Sequence, residues 1–279
     1  PVTLVIYNKD FENWEKIMSI NPDDETDEKS FTKYRPGHAD FAGSVKYNHK
    51  DLRNVLERSS ARKTAIETAV GAVSKQILEE FNIRGYSRIL QIGIAKEKED
   101  FHAEIDRAKE EGDTLGGKFV VIYENMPIGL GSYVHWDRML DGRIAQAVMS
   151  IPAVKTVSIG NHHSYKLKGS DFHDEMFLEN GKIVRETNNA GGIEGGMTNG
   201  ENLQIFASMK PIPTLRKPLR TVDAAPMEET EAHFERSDTC AVEACAVVAE
   251  ARIACVLLNE ILLKYGGDNF DEIMKNFYK

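Results

Sequence analysis

Arg35 and His38 are the first residues in the chain whose types and spacing could do chemistry together, in the run Arg35-Pro36-Gly37-His38-Ala39-Asp40. Proline presets φ and glycine lets backbone approach a ligand closely, so the run reads as a rigid turn carrying a cation and a proton-exchanging ring. A turn histidine can equally be structural. The next group is Ser59-Ser60-Ala61-Arg62, at the head of a helix-periodic segment. There, unpaired helix N–H groups, a serine cap and an arginine together suit an anion. An ordinary cap with a solvated arginine is the plainer reading.

Further along, residues 188–200 place five glycines in the loop NNAGGIEGGMTNG. Such a loop lets backbone amides approach a flat or phosphorylated ligand, although it lacks both the GK[ST] ending of a phosphate loop and a GxGxxG following a strand. Residues 209–215 present Lys210 and Thr214 across Pro211 and Pro213, a stiff segment that could clamp a phosphate or simply leave a strand. Arg236-Ser237-Asp238 precedes the last apolar run. Asp238 reads either as a helix cap or as an ionised base held by Arg236 and the helix dipole. His162, His163 and His173 fit no metal-ligand spacing and read as strand ends, so no metal is expected.

The elements that must position these residues alternate along the chain. Residues 2–7 read as a strand and 11–18 as a short amphipathic helix. A single helix is expected from Ser59 to Phe81, burying Ala65, Ala69, Ala72, Val73, Ile77 and Phe81. Strands follow at about 87–94, 118–125, 154–160 and 203–209, with a helix at roughly 137–150. The Asn-Gly pair in LENGKIV signals a tight hairpin. The last element is a helix of about seven turns, capped by Ser237 or Asp238, apolar nearly all round, and stopped by Gly266 and Gly267. So apolar a helix must be covered on most sides, which makes the architecture layered α/β with this helix inside.

The chain has 279 residues, 41% hydrophobic and 28% charged, with a formal net charge of −9. That balance disfavours a general nucleic-acid or anionic-membrane binder, so any anion must be held by local arginines. No uninterrupted apolar run approaches the roughly 20 residues of a membrane span. Cys240, Cys245 and Cys255 share one apolar stretch and read as reduced core residues, which suits a cytoplasmic protein. The opening PVTLVIYNKD reads as the middle of a domain, with no initiator methionine and no signal-peptide pattern.

In order, the segments RPGHAD, DLRNVLERSSARKTA, DTLGG, GLGSYVHWDRMLDGRIAQAVMSIPAVK, NNAGGIEGGMTNG, KPIPTLRKPLRTVD and ERSDTCAVEACAVVAEA closely resemble chorismate synthase over almost the whole chain. The resemblance implies an FMN-dependent carbon–oxygen lyase of the shikimate pathway, which eliminates phosphate from 5-enolpyruvylshikimate 3-phosphate to give chorismate. It also implies one β-α-β sandwich domain over residues 1–279 and a homotetramer. The reaction uses reduced FMN without net redox change. Whether NADPH or a separate flavin reductase supplies the electrons is left open.

By the same resemblance, Arg35, Arg62 and Arg236 face the substrate's carboxylates and phosphate, for which arginine forks are suited. His38 lies against the flavin and donates a proton to it, and Asp238 assists proton removal. Ser59, Ser60, Ala61, Arg62, Pro152, Ala153, Gly195, Lys210, Pro211, Ile212, Pro213, Thr214 and Arg236 match FMN-contacting positions. Relatives begin with a Gly-Glu-Ser-His-Gly motif and an arginine-rich glycine loop that this sequence does not show, and the stretch near residue 95 is shorter than theirs. The expectation is therefore a chorismate synthase that is intact in the cell and seen here without its N-terminal segment. The alternative is a truncated, non-catalytic flavin-binding or assembly subunit.

Overall fold

A computed structural model describes residues 2–17, 19–21, 30–232 and 237–279. In chain order its helices are α1 (Asp40–Tyr47), α2 (Arg53–Ser59), α3 (Thr64–Glu80), α4 (Phe101–Glu110), α5 (Leu140–Met149), α6 (Gly169–Phe172), α7 (Val242–Tyr265) and α8 (Phe270–Phe277). The strands are β1 (Arg84–Ile92), β2 (Gly117–Glu124), β3 (Val154–Ile159), β4 (Met176–Glu179), β5 (Lys182–Arg185), β6 (Ile193–Glu194), β7 (Met197–Thr198), β8 (Leu203–Met209), β9 (Arg220–Asp223) and β10 (Glu228–Glu231). The chain forms two compact units, one from Pro1–Ile66, Ile105–Thr114 and Ile212–Cys240, the other from Glu67–Glu104, Leu115–Pro211 and Ala241–Lys279.

In the first unit, β9 and β10 form a hairpin, and Lys33 bridges Asp223 on the other side of β9. Thr32 Oγ1 donates to Asp223 Oδ1 at 2.6 Å and Thr221 Oγ1 to Tyr34 O at 2.5 Å, so the segment entering the Arg35 turn is tied to β9. α1 packs on α2 so closely that a Cβ at Gly43 would meet Val55 at 2.6 Å, and Leu52 and Val55 are buried.

The second unit is built on an antiparallel sheet of order β1-β2-β8-β3. β8 is the clearest strand, with strict alternation of buried and half-buried residues from Leu203 to Met209. α7 packs on β1 and β2, and α5 on β3 and α7. Ion pairs fasten α7 to its neighbours: Lys75 to Glu250 at 2.7 Å, Arg252 to Glu67 at 2.6 Å, and Arg143 to Glu260. Tyr123 OH adds a hydrogen bond to Glu250 O at 2.8 Å. Tight packing decides the α3 contact, because a Cβ at Gly71 would lie 2.3 Å from Ala251 Cβ.

The α/β reading holds, as do the four sheet strands, the 137–150 helix and the buried C-terminal helix. The Asn-Gly hairpin forms as β4–β5, with Asn180 and Gly181 at φ 50° and 77°, the left-handed pair that this turn needs. Other expectations are corrected. Residues 2–7 form no strand among the described residues; Val2, Val5, Ile6 and Tyr7 are exposed, and β-branched character alone does not supply a partner. The helix expected at 11–18 is reduced to one 3₁₀ turn, Phe11–Asn13, with Asp10 accepting from Asn13 Nδ2 and Trp14 Nε1; Met18 lies outside the described residues.

The Ser59–Phe81 helix is broken at Ser60, which is extended at φ −56° and ψ 139°. α2 ends there, and α3 starts at Thr64 after a 3₁₀ turn. The buried face of α3 is Gly71, Ser74 and Leu78; Ala65, Ala72 and Val73 are exposed. α7 begins at Val242 with no side-chain cap, so neither Ser237 nor Asp238 caps it. Cys245 is buried and Cys240 and Cys255 are half-buried, all as free thiols.

Candidate functional site

The Arg35–His38 turn forms as its composition suggests: His38 N donates to Arg35 O at 3.2 Å, and Gly37 takes φ 80°. Its internal chemistry was hidden in the motif's last residue. Asp40, fully buried, accepts from Arg35 Nε and a terminal nitrogen, both at 2.8 Å, and from Arg35 N at 3.0 Å. A bidentate buried pair of this kind fixes the turn and balances the arginine charge where it sits. Arg35 is thus a turn-holding residue with Asp40 as its counter-charge.

His38 Nε2 lies 3.4 Å from Thr214 Oγ1, so the turn and the proline-stiffened segment meet. That segment is itself pinned, since Thr114 Oγ1 donates to Ile212 O at 2.5 Å and Ser237 Oγ to Thr214 O at 3.1 Å. Arg35, Pro36, Pro213, Thr214 and Leu215 line a small cavity at this junction. The head of α3 is separate in kind. Ser60 Oγ accepts from Arg62 N at 3.3 Å, while Ser59, Ala61 and Arg62 are exposed. Asp238 is exposed too, and Arg236 lies outside the described residues.

In the second unit, α5 ends at Met149 and the chain turns through residues 150–153 into β3. Ala153 takes φ +70°, left-handed for a residue with a Cβ, a conformation that costs about 1–2 kcal/mol. The surroundings hold it there: Lys210 N donates to Ala153 O at 2.9 Å, and Val154 N to Ile151 O at 3.2 Å. Pro152 and Ala153 are half-buried. Burial, and then the charge of Lys155, push the Lys210 ammonium below the usual lysine pKa. An anion brought to that side chain would favour its charged form and so offset these effects.

Gly195 sits in the β6–β7 turn at φ 58°, and a Cβ added there would meet nothing within 4 Å. Its neighbour Gly196 is packed against Ser132 O and Met139. Gly195, Asp141, Ile159, Phe172, His173 and Asp174 line a cavity of about 520 Å³. Asp174 organises its wall, accepting from Thr187 Oγ1 at 2.5 Å, Asn189 N at 2.7 Å and Ala190 N at 2.9 Å. Nothing in the sequence singled out Asp174. Gly196, the residue after Gly195, accepts from Leu140 N at 2.9 Å at the start of α5, whereas Ala153 follows the end of that helix. Among the described residues no cluster of His, Cys, Asp and Glu could hold a metal ion, and no helix is long and apolar enough to cross a membrane.

Comparison with known proteins adds a family. The family model described as chorismate synthase matches residues 1–262. Chorismate synthase of Thermoanaerobacter pseudethanolicus is 50% identical over 279 residues, covering 99% of this chain and 77% of that protein. The enzyme of Geobacter sulfurreducens is 47% identical over 312 residues, covering 99% and 79%. A crystal structure of chorismate synthase superposes with a TM-score of 0.74 at 39% identity, covering 86% of this chain and 75% of that one.

Proposed function

The chain belongs to the chorismate synthase family, and from that premise we propose that it eliminates phosphate from 5-enolpyruvylshikimate 3-phosphate with reduced FMN as cofactor, as a carbon–oxygen lyase. The observation that carries this reading is identity of 47–50% to chorismate synthases over 99% of the chain. When bound, reduced FMN supplies the electron-rich ring that the family's reaction requires.

The residues present suit that group. Lys210 carries an ammonium disfavoured by burial and by Lys155, which an FMN phosphate or substrate anion would stabilise. Ala153 offers a left-handed backbone beside it, and Gly195 a bare backbone surface that a flat ring can approach. Ser59, Ser60, Ala61, Pro152, Pro211, Ile212, Pro213, Thr214 and Arg236 complete the proposed flavin contacts.

His38 is the proposed acid. Its ring nitrogen is oriented by Thr214 at 3.4 Å, in a turn that Arg35 and Asp40 lock. Arg35, Arg62, exposed at the head of α3, and Arg236 are the proposed grips on substrate carboxylate and phosphate, Arg35 also holding the turn through Asp40. Asp238 is the proposed base. NADPH or a separate reductase is the proposed electron source, and the cytoplasm the proposed compartment. A homotetramer is proposed as well, supported by the β4–β5 hairpin, which exposes Met176, Phe177, Leu178 and Ile183. Light scattering should then give a mass about four times 31.3 kDa.

The test is phosphate release under anaerobic conditions with chemically reduced FMN. The parent protein should turn over, and His38→Ala should be slower by about 10²-fold or more with an unchanged melting temperature. Equal rates for the two proteins would remove His38 from the chemistry, and a parent without turnover would remove the activity itself.

A further inference from the structure

Arg252 lies on α7, outside every sequence motif discussed above, yet its guanidinium joins two other helices. Nε and one terminal nitrogen donate to Glu67 Oε2 of α3 at 3.0 and 2.6 Å. The other terminal nitrogen donates to Ala147 O at 2.9 Å and to Ser150 Oγ at 2.6 Å. These acceptors belong to the last turn of α5, where carbonyls lack intrahelical partners and the helix dipole favours a cation. Ser150 Oγ also donates to Ala147 O at 3.1 Å, so the hydroxyl and the guanidinium close one small network. Only Ile151, Pro152 and Ala153 separate this network from β3.

We propose that Arg252 is a positioning residue for the flavin-contacting turn at 150–153. By tying the α5 terminus down it sets the angle at which the chain leaves the helix, so that Ala153 is delivered left-handed with its carbonyl on Lys210 N. Glu67 holds the fork in the plane that reaches both acceptors. Lysine cannot substitute fully, because a single ammonium lacks the planar fork that serves α3 and α5 at once. The inference rests on the reading of Ala153 and Lys210 as flavin contacts. The competing role is a plain staple between helices, which would lower heat stability and leave the turn as it is.

FMN affinity, followed by quenching of flavin fluorescence well below the melting temperature, separates the two roles. Arg252→Met, which keeps bulk and removes every donor, should weaken FMN binding about tenfold. Arg252→Lys should recover part of that loss. Glu67→Gln should lower the melting temperature while weakening FMN by no more than about twofold. Lys210→Met reports on the premise and should itself weaken FMN. Should Arg252→Met fail to fold, Ser150→Ala keeps the Glu67 pair and should weaken FMN about threefold. Parent-like affinity in the folded Arg252→Met protein, or in Ser150→Ala where that protein must stand in, would overturn the positioning role if Lys210→Met is weakened. Parent-like affinity in Lys210→Met would overturn the flavin reading of the turn, whatever the Arg252 variants do.

Discussion

Asp174 holds the strand-to-glycine-loop connection on which Gly195 depends. Its burial raises the carboxyl pKa, but the Thr187 hydroxyl and the N–H groups of Ala190 and Asn189 outweigh this and leave it below the ordinary aspartate value. A depressed carboxylate contributes stability that is present above the unfolded pKa and lost as pH falls through the folded one. Asp174→Asn should therefore be less stable at neutral pH by about 1–3 kcal/mol, on the order of 5 °C in melting temperature. It should also lose less of its remaining stability than the parent on acidification below about pH 4. Melting curves from neutral to acidic pH would test this, and parallel pH profiles would refute it. The sequence did not reveal Asp174, because a lone aspartate between His173 and Glu175 looks like surface charge and its partners stand 13 to 16 residues away. His38, Lys210 and Thr214 were legible because glycine and proline mark their local shapes, whereas the Arg35–Asp40 fork within the same motif was not.

Helix α3 shows how an element can be foreseen and its buried face missed. The alanines at 65, 69 and 72 and Val73 suggested the core side, but the contact with α7 is made where the backbone can come closest, at Gly71. Gly71→Ala would gain about 1 kcal/mol in helix propensity. The new Cβ, however, would meet Ala251 Cβ at 2.3 Å and its Cα at 2.4 Å, and such overpacking costs about 1–3 kcal/mol or more. The rigid backbone on the far side favours the upper part of that range, so the variant should be destabilised by about 1–2 kcal/mol. Denaturant midpoints would check it, and a stabilised variant would show that the helices separate freely. The sheet strands were more legible because alternation and apolar runs announce them; which strands pair, and that residues 2–7 pair with none described, depends on contacts remote in sequence.

At the scale of the molecule, acidic composition and local cation placement coexist. The formal net charge is −9, yet Lys155 stands close enough to Lys210 to lower its pKa, a local pairing of cations within an acidic chain. Both units are discontinuous in sequence, each gathering segments from widely separated parts of the chain. The sheet makes the consequence concrete. Antiparallel β1 and β2 can pair as soon as Glu124 exists, but β8, which must slot between β2 and β3, is encoded about 80 residues later, and α7 later still.

On the ribosome, at roughly 5–20 residues per second, the apolar strand GKFVVIYE would wait several seconds with an open edge before its second neighbour is made. Nascent chains stalled before Leu203 should be held by chaperones, and chains released past Tyr265 should not; equal retention of both would refute this. The central place of β8 thus makes protein synthesis itself the period in which this sheet is most open to aggregation.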